Sequence, residues 1–72
     1  MLQLLVQKYQ SEIDLHIYNI HNLINHRVGV AEHPDLAATI EMELRKIAEL
    51  SDLIEAAQLT EEELKSIIPI EE

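Results

Sequence analysis

Residues 36–57, LAATIEMELRKIAELSDLIEAA, place Leu36, Ile40, Glu43, Ile47, Leu50, Ile54 and Ala57 at alternating spacings of four and three. That is the spacing of a helix seam packed against other helices. Glu43 stands where the pattern asks for an apolar side chain, so the stretch predicts both an architecture and a polar interruption within it. A helix is expected from about Pro34 to about Gln58. Pro34 suits a first helical turn, and Asp35 there, helped by Glu32, complements the positive end of the helix dipole.

Upstream, a first helix is expected from about residue 2 to about 27. Winding at about 100° per residue gathers Leu2, Leu5, Val6, Tyr9, Ile13, His16, Ile17, Ile20, Leu23 and Ile24 on one broad apolar stripe. Gly29, the only glycine, lies in the break between the two periodic stretches, and a connection is expected over residues 28–33. Two helices of similar length joined by so short a connection predict an antiparallel hairpin.

Downstream, Thr60-Glu61-Glu62-Glu63 has the form of a capping box, with Leu59 and Leu64 at the positions of a hydrophobic staple. These residues predict a new short helix over about 60–68, stopped by Pro69, with Leu64, Ile67 and Ile68 on its apolar face. The expected fold class is therefore all-α, in one domain spanning residues 1–72: a hairpin of two long helices plus a short C-terminal helix.

A chain of 72 residues buries proportionally little of its surface. Domains this small usually add disulfides, a metal or oligomerisation. There is no cysteine, and without Phe or Trp the core is left to Leu, Ile, Val, Ala and two tyrosines. Oligomerisation is the expected remedy, with two hairpins dimerising into a four-helix bundle. Leu4, Leu15 and Tyr18 on the first helix, and Met42 and Leu53 on the second, miss the main seams. Leu4 to Leu15 and Met42 to Leu53 are each eleven apart, which returns to one helix face. These five residues are the candidate partner or dimer surface.

Charge is unequally divided along the chain. Residues 1–33 carry Lys8 and Arg27 against Glu12, Asp14 and Glu32, a net of −1; residues 34–72 carry three basic and eleven acidic side chains, a net of −8. An acidic second half, with Glu41, Glu49, Asp52 and Glu55 as its candidate surface, repels phosphate backbones and excludes direct nucleic-acid binding. The same acidity favours solubility. The opening run MLQLLVQ lacks a basic region and is too short for a signal peptide or a membrane span, so a cytoplasmic protein with no membrane association is expected.

With the turn centred near residue 30, His16 lies about half a helical turn from the level of Glu43, and both are on the seams. A His16–Glu43 hydrogen bond, within one chain or across a dimer, is a candidate device for register and pairing; the alternative is a bundle splayed or rotated there, with both side chains in water. The four histidines do not form a metal motif. His16, His21 and His26 are five apart, so each turns about 140° from the last, and the Glu-x-x-His and His-x-x-x-His spacings are missing. His26 and His33 flank the turn and read as solvated or capping residues. No metal and no cofactor is expected.

Nor is an enzyme. There is no cysteine nucleophile and no glycine-rich loop, while Ser11, Ser51 and Ser66 have no triad context. Two function classes follow. One is an acidic, homodimeric and regulatory protein–protein interaction module; the other is an acidic inhibitor that mimics nucleic acid and occupies a basic protein surface. A metal-binding bundle is a distant third.

Overall fold

A computed structural model describes residues 1–25 and 35–67. Two helices, α1 (Leu2–Asn25) and α2 (Asp35–Ile67), pack against each other as an antiparallel hairpin-like pair. The expected connection, with Gly29, Glu32, His26, His33 and Pro34, lies outside the described residues, as do Ile68 and Pro69. No helix among the described residues is long and apolar enough to cross a membrane.

At about 1.5 Å per residue, α1 is about 36 Å long and α2 about 50 Å. The first turn of α1 is closed by the Met1 carbonyl, which accepts from the amides of Leu4 and Leu5. Asp35 in the first turn of α2 and Lys65 in its last both complement the helix dipole.

The expected break at Thr60 is not present. Residues 59–67 continue α2 as one helix, and the capping-box motif is passed through as ordinary helix. Two physical reasons account for this correction. No glycine or proline lies between Gln58 and Ile67, and leaving the helix would strand backbone hydrogen bonds that an unbroken one makes. The seam also keeps its phase: Glu61 follows Ala57 by four residues and is half-buried beside Met1 and Leu2. A short helix folding back over the hairpin is thus replaced by an extension of α2 beyond the start of α1, with Leu59, Leu64 and Ile67 exposed.

The hairpin is one layer of helices, with extents of 60 × 17 × 10 Å. A single layer gives each helix one neighbour, and burial is correspondingly poor. Among the described residues only Ile13 and Leu50 are buried, each 7% exposed. Leu2, Leu5, Val6, Tyr9, Ile20 and Leu23 on α1, and Leu36, Ile40, Ile47, Ile54 and Ala57 on α2, are half-buried. The α1 stripe is narrower than its periodicity suggests. Ile17 is 52% and Ile24 44% exposed, because a single facing helix covers the centre of the stripe and leaves its edge in water.

Candidate functional site

A polar layer lies in the middle of the seam. His16 Nδ1 and Glu43 Oε1 are 2.6 Å apart, and Asn19 Nδ2 donates to the same oxygen at 3.3 Å. An ionised carboxylate only accepts, so the proton of the short bond sits on Nδ1. Asn19 is three residues from His16 and therefore on the same face of α1. Asn19 is not among the residues expected from the sequence; its i+3 spacing from His16 was the available signal.

The His16 and Glu43 side chains are 18% and 20% exposed. The layer is therefore largely sheltered but remains wet at one edge, and no buried side-chain polar atom among the described residues lacks a hydrogen-bond partner. The Glu43 carboxyl is held below its ordinary value, chiefly by the His16 hydrogen bond. Desolvation opposes the shift, while Asn19 and the positive charges of His16 and Lys46 reinforce it.

A pH dependence follows from that direction. The unfolded chain takes a proton at Glu43 at higher pH than the folded chain does, so the stability this carboxylate contributes is present above the ordinary value of 4.5 and is lost as pH falls through the lower folded value. Glu43→Gln is expected to flatten the acid limb of stability below about pH 4.5, read by urea unfolding at a series of pH values. Superimposable acid limbs for the variant and the unsubstituted chain would count against this assignment.

The two flanks of the hairpin differ chemically. On one, Lys8, Glu12, Lys46, Glu49 and Leu53 line an open cleft of about 370 Å³ floored by Tyr9, His16 and Leu50. Lys8 pairs with Glu12 at 3.1 Å and lies 5.7 Å from the centre of the Tyr9 ring. On the other flank, helix winding places Ile17 of α1 level with Leu44 of α2, and Ile24 level with Ala37. Leu44 is 53% exposed. Winding puts Glu55 at the angle of Ala37 and Glu62 at that of Leu44, with Glu41 at the edge between Ala37 and Leu44, so this flank is apolar about Ile17 and Leu44 and acidic further along α2.

The candidate surface read from the sequence divides among separate faces. Leu4, Leu15 and Tyr18 are exposed on the back of α1, away from α2, whereas Met42 and Leu53 belong to the charged flank. They do not form one patch. Glu41, Glu49, Asp52 and Glu55 are all exposed but spread around α2: Glu49 lines the charged cleft, Asp52 faces outward, Glu55 winds to the angle of Ala37, and Glu41 pairs with Arg45 at 2.9 Å. His21 is turned outward and meets Asn25, whose Nδ2 also donates to the His21 carbonyl at 2.9 Å.

Chemically, the layer resembles an oriented imidazole without a substrate. A carboxylate on Nδ1 is the arrangement that orients a general base, but Ser11, the only serine of α1, winds to the back of that helix. No group of three or more His, Cys, Asp or Glu side chains able to hold a metal occurs among the described residues. What the layer does supply is directional pairing between two otherwise aliphatic seams. No family model, curated protein or solved structure matches this chain.

Proposed function

We propose that this chain is an acidic, cytoplasmic, helical interaction module that works as a homodimer, regulates a partner by binding and has no catalytic activity of its own. The observation that carries the reading is its surface. Among the described residues only Ile13 and Leu50 are buried, while Leu4, Leu15, Ile17, Tyr18, Met42 and Leu44 are each more than half exposed. So much exposed apolar surface is what a standard interface, of about 800 Å² per partner, is suited to remove from water. Two hairpins packed as a four-helix bundle would cover part of it, and a second layer would give each helix the additional neighbours that one layer lacks.

A second reading rests on the acidity of α2. Glu41, Glu49, Asp52 and Glu55 present exposed carboxylates around the helix, which suits occupation of a basic, nucleic-acid-binding protein surface. Ionic strength separates the two. Self-association through apolar packing is expected to survive a rise from 0.05 to 1 M salt, whereas a complex held by these carboxylates should dissociate over that range, where the Debye length falls from above about 10 Å to about 3 Å. Sedimentation equilibrium gives the mass, and a monomer at every concentration and salt level would remove the homodimer reading.

A further inference from the structure

We infer that the interface between two copies is the apolar stretch of flank formed by Ile17, Ile24, Ala37 and Leu44, and that the two hairpins lie on it with their turn ends together. The inference rests on the homodimer reading above and specifies its surface and polarity.

The choice of flank follows from charge and packing. A chain of net charge −9 repels its own copy over most of its surface. Here is a face where that repulsion is locally relieved. Ile17 and Leu44 are more than half exposed, 52% and 53%, and helix winding sets them level on the same flank. The register is set by the His16 and Asn19 contacts to Glu43. Glu41, at the edge of the flank between Ala37 and Leu44, is paired with Arg45, and Glu55 and Glu62 lie on the flank beyond this apolar stretch. The opposite flank holds Lys8, Glu12, Lys46 and Glu49, whose burial would require desolvating four charges.

Two twofold arrangements cover this flank. Rotation about an axis across the hairpin stacks α1 on α1 and α2 on α2. Rotation about an axis along the hairpin sets α1 of each copy against α2 of the other. Described α2 carries nine acidic and three basic side chains, a net of −6, whereas α1 carries Lys8 against Glu12 and Asp14, a net of −1. The first arrangement brings two acidic helices into contact; the second keeps them on the diagonal. Both leave every neighbouring pair of helices antiparallel, so the charge on α2 alone decides between them. At the shared levels Ile17 meets Leu44 of the second copy, and Ile24 meets the small Ala37 of the second copy. Large and small side chains then alternate along the contact, as interdigitating layers require.

The test uses the full chain in two ways. Ile17→Asp places a charge in the contact twice, once from each copy, and is expected to weaken self-association by at least about 100-fold. Leu4→Asp, on the back of α1, should leave it unchanged. Independently, a spin label on Gln3→Cys, in a chain with no other cysteine, reads polarity. With turn ends together the two labels share one end of the bundle and lie within about 30 Å; with turns at opposite ends they are separated by more than about 35 Å. A monomeric unsubstituted chain overturns both the reading and the inference. A dimer that Ile17→Asp leaves intact, or one with the longer label distance, overturns the inference alone. If Ile17→Asp unfolds the chain, the label distance in the otherwise unsubstituted dimer decides.

Discussion

Leu50→Ala is expected to unfold much of the hairpin at room temperature. Leu50 and Ile13 are the two buried residues described, and removing a buried leucine costs about 2–5 kcal/mol, part of it from the cavity left behind. Stability at or below about 5 kcal/mol is the reasonable scale for a domain this small. The loss is thus comparable with the whole. Ile13→Ala should act similarly, whereas Leu4→Ala, on a side chain 64% exposed, should change stability by no more than about 0.5 kcal/mol. Urea unfolding followed by helical circular dichroism makes the comparison. Equal midpoints for Leu50→Ala and Leu4→Ala would mean that the seam between α1 and α2 does not hold the fold.

Replacing the polar layer entirely should have the opposite effect. The double variant His16→Leu, Glu43→Leu exchanges a largely sheltered hydrogen-bonded layer for aliphatic packing, and its thermal midpoint is expected to exceed that of the unsubstituted chain. Each single substitution leaves a sheltered polar group facing Leu, so both singles should melt below it. The order double, unsubstituted, single is the diagnostic result. The gain should come with a loss of uniqueness. An all-aliphatic seam packs nearly as well one heptad out of register, and a polar pair is what distinguishes one register from the next. Several sets of amide resonances in the double variant, against one in the unsubstituted chain, are expected. A single unchanged set and an unchanged oligomeric mass would show that His16 and Glu43 do not specify pairing.

The difference between sequence and structure is clearest at three places. The heptad from Leu36 to Ala57 identifies its own inward face, because burial of a helix follows a period its residues must share. At Thr60 the local signal misleads. Thr60 and Glu63 are able to cap a new helix, but they are also compatible with the interior of an existing one, and only the continuing seam through Glu61 decides between the two. At Ile17 the periodicity is right and the burial is wrong. Its angle about α1 falls within the apolar stripe, yet it is 52% exposed since α2 covers only the centre.

The polar layer shows the same division on the scale of single atoms. His16 and Glu43 are recognisable as candidates since each interrupts an apolar seam at nearly the same level. Asn19 joins them only through the tilt and spacing of the two helices, which let its amide reach the carboxylate at 3.3 Å.

By itself, the sequence determined two long amphipathic helices, the inward face of each and the polar residues within those faces, because a residue's angle about its own helix axis follows from its number. Only the tertiary structure decided how wide the covered stripe is, that α2 continues through Thr60, and that Lys8, Glu12, Lys46 and Glu49 gather about one cleft while Ile17 and Leu44 share the opposite flank. These depend on where the second axis lies, a relation between two helices that the periodicity of neither one contains.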